Sequence, residues 1–150
     1  MIFVTVGTTK FEELVKKIDK IAPELGENVL IQLGNGKYKP RNCKWFRFSP
    51  NLDKYYKKAD LVISHDGAGT LFELINLGKR VVALENKETI HNPDLVRKFS
   101  EEKHLIYCKD IENLKDCIYK AKRYKFKKYR QPKNEICKKL INFLKELERR

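Results

Sequence analysis

The chain has 150 residues, 41% hydrophobic and 35% charged, with 7 glycines and 5 prolines. That is the length of one domain, enough to bury roughly 70% of the unfolded surface, and the composition excludes collagen-like, low-complexity and disordered classes. The formal net charge is +13, but residues 120–150 hold 13 basic and 3 acidic side chains, which leaves the body close to balance.

The order of apolar runs alternates strand and helix. MIFVTVG (1–7) is a β-branched run ending in Gly, which predicts a buried strand. Phe11, Leu14, Val15, Ile18 and Ile21 recur at helical spacing, with Thr8 or Thr9 as the N-cap. NVLIQL (28–33) and WFRF (45–48) predict two further strands, separated by the loop GNGKYKP, with Trp45, Phe46 and Phe48 assigned to the core. Ser49-Pro50-Asn51 opens a short helix through Tyr56. DLVISH (60–65) is another buried strand, and residues 67–78 form a helix stopped by Gly78. RVVAL (80–84) is a strand, followed by a helix with Asn92 as N-cap and Pro93 at its first position, running to Glu102. HLIYC (104–108) is the sixth strand, with His104 at its edge. Asp110 caps a helix through Arg123.

Strands alternating with helices of about 10 residues predict βαβ units. The fold class is therefore α/β: a Rossmann-like open parallel sheet of about six strands, with helices on both faces. Residues 1–123 form this domain. Residues 124–150 are a basic connector followed by an amphipathic helix, its stripe made by Ile136, Leu140, Ile141, Phe143, Leu144 and Leu147. No apolar run reaches the roughly 18–20 residues of a membrane span, and MIFVTVGTTKFEEL lacks the basic start of a signal peptide. Cys43, Cys108, Cys117 and Cys137 have no C-x-x-C pair and no metal spacing, so they are read as reduced cytosolic thiols. The basic tail suits lipid headgroups, nucleic acid or an acidic protein face, or is simply a solvated helix.

Sheets of this kind bind ligands beyond the carboxyl ends of their strands. SHDGAGTLFE (64–73) is the strongest feature there. Gly67 and Gly69 let the backbone approach a ligand closely, and the helix that follows offers free N–H groups and a positive dipole end to an anion. Thr70 adds a hydroxyl, and Glu73, one turn on, can accept two hydrogen bonds from ribose. Together these suit a nucleoside diphosphate, although a plain capped βα turn has the same pattern. The segment is neither a G-x-G-x-x-G fingerprint nor a P-loop. Gly7-Thr8-Thr9 is a second small-residue turn that offers N–H groups and hydroxyls to phosphate, or a simple N-cap. His91, Asn92 and Asp94 lie in a polar loop suited to gripping a sugar, or to starting a helix. His65 stands at a strand end beside the glycines.

VTVGTTKFEELV, FRFSPNLDKYYKKADLVISHDGAGTLFE and VVALENKETIHNPDL together resemble the family 28 glycosyltransferase C-terminal domain over about residues 1–120. The nearest resemblance is to its stand-alone form, the catalytic subunit of transferases that extend dolichyl-diphosphate-GlcNAc, with prokaryotic exopolysaccharide relatives. Two departures stand out: Asp66 where the family has Ala, and His91-Asn92-Pro93-Asp94 where it has His-Gln and an acid.

The resemblance implies one half of a GT-B enzyme, binding a UDP-sugar, with the sugar GlcNAc and the reaction inverting. A separate membrane-anchored subunit would hold the lipid-linked acceptor, and this chain would be cytoplasmic, recruited peripherally to an anionic membrane. Gly67, Ala68, Gly69 and Thr70 would meet the diphosphate and Glu73 the ribose. Phe48 and Ser49 would border the uracil, and His91, Asn92 and Asp94 would face the sugar. The general base is expected in the partner, with His65 as the candidate within this chain. No metal, cofactor or nucleic-acid partner is expected. The alternatives are a nucleic-acid-binding module acting through its tail and a nucleotide-sugar-binding regulator without catalysis.

Overall fold

The computed structural model describes residues 1–89 and 93–130. Twelve elements follow in chain order. They are β1 (Ile2–Thr5), α1 (Glu12–Leu25), β2 (Val29–Gln32), β3 (Lys44–Phe46), α2 (Asp53–Lys58), β4 (Leu61–His65), α3 (Ala68–Asn76), β5 (Val81–Leu84), α4 (Asp94–Glu101), β6 (Ile106–Tyr107), a 3-10 turn (Ile111–Asn113) and α5 (Leu114–Arg123). The sheet order is β3-β2-β1-β4-β5-β6, and every ladder is parallel. The order reverses between β1 and β4, which puts the switch point at their carboxyl ends.

The central strands are covered on both faces, so they are apolar over most of their length rather than alternating. Ile2, Val4, Ile31, Ile63 and Val82 pack with residues of α1 and α5. Phe3, Val62, Val81 and Ala83 point the other way, onto α2, α3 and α4. Phe3 stacks on Phe46 and Tyr55. Residues 124–130 carry the chain round the β6 edge from one layer to the other: Tyr124 and Phe126 pack on the α1/α5 side and Tyr129 on the opposite side. Lys127 N donates to the Lys103 carbonyl at 2.9 Å, and Tyr129 meets Phe72, Phe99 and His104 edge-on. That strap is fastened at Lys103 and His104, just before the edge strand β6.

Several local expectations are corrected. The α1 N-cap is Phe11, with no side-chain bond, because Thr9 Oγ1 donates to the Val6 carbonyl instead. Helix α2 begins at Asp53 rather than at Ser49-Pro50-Asn51. Asn51 Oδ1 accepts from Asp53 N in a turn that precedes the helix. Pro93 itself flanks α4, which starts one residue later, and Asn92 lies outside the described residues. Of the three aromatics assigned to the core, Trp45 is 36% and Phe48 54% exposed. They sit on and just beyond β3, an edge strand that neither layer covers fully. Only Phe46 is drawn in, against Tyr55.

His104 is structural, as expected, with Nδ1 3.0 Å from the Lys127 carbonyl. Asp110 caps as expected, though it caps the 3-10 turn, accepting from Glu112 N. Cys43, Cys108 and Cys117 are free thiols. Cys137 and the helix expected at 134–148 lie outside the described residues. No helix among the described residues is long and apolar enough to cross a membrane.

Candidate functional site

The His65 ring lies at the switch point between two glycines. A Cβ on Gly67 would fall 2.3 Å from His65 Cε1, and one on Gly7 would fall 3.2 Å from His65 Nε2. Gly7 has φ +63°, so glycine is required there on conformational grounds as well. Gly67 N donates to His65 Nδ1 at 3.0 Å. A backbone N–H can only donate, so Nδ1 is the acceptor, and the neutral ring carries its proton on Nε2. The residue is 5% exposed.

Helix α3 begins at this point, and its start differs from the others. Its N-cap, Gly67, has no side chain with which to cap, and its first turn holds no acidic residue. The first turns of α1, α2, α4 and α5 each carry at least one acid: Glu12 and Glu13, Asp53, Asp94 and Asp116. Leu71 N is the donor that closes onto the Gly67 carbonyl, at 3.0 Å. The N–H groups of Ala68, Gly69 and Thr70 therefore face outward, as helix geometry requires. A Cβ on Gly69 would meet nothing within 4 Å. An open, uncapped helix end with no carboxylate in its first turn is a geometry that accepts an anion.

The neighbouring turn, Gly7-Thr8-Thr9, is clamped from the β2 side. Gln32 Nε2 donates to the carbonyls of Gly7 at 2.7 Å and Arg47 at 2.8 Å, while its Oε1 accepts from Thr5 Oγ1. Asn35 donates through its backbone to Thr9 O and through Nδ2 to Thr8 O. Gly34 is pressed so close that a Cβ there would lie 2.2 Å from Thr9 O. Thr9 spends both its N–H and its hydroxyl on the Val6 carbonyl, so the donors this turn holds out narrow to Thr8, which is exposed. Gln32, Gly34 and Asn35 were missed at the level of sequence. A glutamine ending an apolar strand, followed by G-N-G, was the signal.

The remaining candidates spread along the rim. Glu73 is exposed on α3, close enough to Tyr56 that its charge adds to burial in pushing that phenol up. Ser49 Oγ donates to the Asn51 carbonyl at 2.8 Å, which spends that hydroxyl on the turn before α2. Asp94 opens α4, exposed, with Arg97 Nη1 at 3.7 Å. His91 and Asn92 lie outside the described residues. After β5, Asn86 is buried, with its backbone N 3.3 Å from Asp66 Oδ1 and its Nδ2 2.8 Å from the Lys10 carbonyl. It is a fourth residue that the motifs passed over. Among the described residues, no three His, Cys, Asp or Glu gather into a group able to hold a metal.

Comparison with known proteins agrees with this architecture. The chain is 36% identical over 121 residues to the mouse UDP-N-acetylglucosamine transferase subunit ALG13, a match that covers 71% of this chain and 10% of that protein. It thus spans about a tenth of that relative's length. In structure it resembles ALG13 solved by NMR (TM-score 0.62, 20% identity, 93% of each chain). It also resembles MurG of Acinetobacter baumannii (TM-score 0.64, 19% identity, 79% of this chain and 40% of that one). At those identities the likeness shows the fold, and MurG is the longer molecule, of which this chain matches one part. The sequence profile of the glycosyltransferase family 28 C-terminal domain matches residues 1–147, and the chain belongs to that family.

Proposed function

We propose that this chain is the donor-binding half of a two-chain glycosyltransferase. It takes a UDP-sugar, GlcNAc being the sugar, and a membrane-anchored partner presents a lipid-linked acceptor. The observation that carries the reading is the start of α3, uncapped and with no acid in its first turn, beside the buried His65 ring. Family membership and the mouse relative, a UDP-N-acetylglucosamine transferase subunit, support the donor.

In this reading the N–H groups of Ala68, Gly69 and Thr70 and the Thr70 hydroxyl receive the diphosphate, with Gly7 and Thr8 alongside. Glu73 accepts from the ribose hydroxyls. Phe48 offers an aromatic face to the uracil beside Ser49, and Asp94 with His91 and Asn92 faces the sugar. When the acceptor oxygen bonds to the anomeric carbon, the bond from that carbon to UDP breaks. The growing charge on UDP falls at the positive end of α3, where fixed dipoles stabilise it. His65 donates to phosphate through Nε2 and is not the base, since Nδ1 is already taken by Gly67. The acceptor's proton goes to a base on the partner. The chain works at the cytoplasmic membrane surface through that partner, with the basic tail turned to anionic headgroups.

Titration calorimetry of the isolated chain with UDP, UDP-GlcNAc and single-stranded RNA tests this, together with an activity assay on a lipid-linked acceptor. Both uridine ligands should bind, RNA should not, and turnover should need the partner. Absence of UDP binding defeats the donor-site reading, and rapid turnover by the chain alone defeats the half-enzyme reading.

A further inference from the structure

Between α1 and the loop from β2 to β3 lies a cavity of about 620 Å³, lined by Lys16, Lys20, Lys37, Lys39, Arg41 and one acid, Asp19. Both walls are basic. Lys16 and Lys20 stand one turn apart on α1. In the loop, Lys37, Lys39 and Arg41 are exposed, Tyr38 is partly buried and Pro40 is buried, so the chain sends every second side chain outward. Asp19 is 3% exposed and is spent on the loop. It accepts from Tyr38 Oη at 2.7 Å, Arg41 N at 3.0 Å and Asn42 N at 2.7 Å. Asn42 Nδ2 donates to the Asp19 carbonyl at 3.0 Å, and Glu12 accepts from Lys37 N at 2.6 Å. Of the five cations, only Lys16 has an ion-pair partner among the described residues, Glu12 at 3.8 Å. Like charges facing one another across a cavity repel, so folding alone does not favour the arrangement. The buried Asp19 nevertheless holds the basic loop in place. Trp45, the chain's only tryptophan, is paired in register with Ile31. Ile31 packs on the α1 side, so the exposed Trp45 ring lies on the same side of the sheet as the cavity.

We propose that this cavity binds a multiply charged phosphate group, carried by an anionic lipid headgroup or by a soluble polyphosphate. It uses none of the residues proposed to hold the donor, and it stands whether or not they do. Five cations and one carboxylate leave a positive field, and an oxyanion between the walls offsets the repulsion among them. The lysine ammonium groups act as point charges and Arg41 adds a planar fork, a set suited to several phosphate oxygens at once. Trp45 separates the two sources. Against a bilayer, an aromatic ring on that side sits at the level of the headgroups. With a soluble polyphosphate it stays in water.

The probes are tripolyphosphate, phosphatidylcholine vesicles with about one-fifth phosphatidic acid, and single-stranded RNA. Binding is measured by calorimetry and vesicle sedimentation, with Trp45 fluorescence recorded throughout. The wild-type chain is compared with Lys37→Glu/Lys39→Glu in the loop and Lys16→Gln/Lys20→Gln on α1. Lys57→Glu/Lys58→Glu on α2, in the opposite layer, controls for net charge. The wild-type chain should bind tripolyphosphate or the acidic vesicles, more weakly as salt is added. The loop pair should lose about thirtyfold in affinity, the α1 pair about threefold or more, and the α2 pair less than either. Vesicle binding with a blue shift of Trp45 identifies a lipid headgroup, and tripolyphosphate binding without vesicle binding identifies a soluble polyphosphate. Binding of neither probe overturns the proposal, as does no loss in the loop pair or an equal loss in the α2 pair. RNA bound more tightly than both phosphate probes, and released by the loop pair, overturns it in favour of nucleic acid. If the loop pair does not melt cooperatively, the α1 pair decides, and no loss there overturns the proposal.

Discussion

The two ends of the sheet are assembled by different means. At the amino ends of the strands, charges pair. The Met1 ammonium meets Asp60 and Glu27, Lys122 meets Glu27, and Arg80 Nη1 donates to the Lys122 carbonyl at 3.1 Å. These groups are partly or largely exposed, and each such pair contributes about 0–1 kcal/mol. At the carboxyl ends the joins are made mainly by backbone carbonyls with Gln32, Asn35 and Asn86, and by glycines where chains nearly touch. There one helix starts with neither a side-chain cap nor an acid in its first turn. The amino end adds modest stability. The carboxyl end forgoes a stabilising cap, and in the proposed function it is the end that receives the ligand.

Substitutions sharpen this contrast. Gly67→Val drives two methyls into the buried His65 ring and should remove UDP binding altogether. Retention of binding by calorimetry would mean that the close approach has no role in the site. Glu73→Ala, on the exposed face of α3, should cost UDP affinity about 1.5–3 kcal/mol, the range for a charge-assisted bond. Its melting temperature should be unchanged, and intact UDP affinity would remove Glu73 from the ribose.

At the opposite end the effects are smaller and of another kind. Lys122→Ala should leave UDP affinity unchanged and lower stability by at most about 1 kcal/mol, a loss that shrinks as salt is added. If it weakened UDP binding, the two ends would be coupled and the contrast would fail.

The smallest effect is a pH dependence. Lys122 beside Glu27 holds that carboxyl below its ordinary value. The pair's contribution is therefore present above the ordinary glutamate range and is lost as pH falls through the lowered folded value. Melts of the wild-type chain and Glu27→Gln should differ near neutrality and converge in acid once the pH has fallen through that lowered value. A difference that persists in acid would show that Glu27 acts by packing rather than by charge.

The elements themselves were legible because each strand and helix carries its own pattern. Buried parallel strands read as apolar runs, and the helices show their stripes, so all six strands appear in the expected order along the chain. The turn from His65 to Thr70 was legible too, as glycines between an apolar run and a helical stripe, and β4 ends and α3 begins there. Caps were less so: the Thr9 hydroxyl donates to the Val6 carbonyl instead of accepting from the first turn of α1. The exposure of Trp45 and Phe48 was hidden because composition does not reveal that β3 ends up at an edge.

What the sequence determined alone is local: the period of each apolar run, the glycines that a left-handed or crowded backbone demands, and the charge of the tail. What only the tertiary structure decided is which distant residues meet. Parallel pairing brings the ends of β1, β2, β4 and β5 together from positions up to 79 residues apart, from Thr5 to Leu84. Gln32 and Asn86 became fasteners only because they stand opposite carbonyls at those ends. The protonation pattern of His65 follows from one backbone N–H two residues on. A hydrogen bond depends on distance and direction between groups, and those are set by the packing of the whole sheet rather than by any stretch of chain.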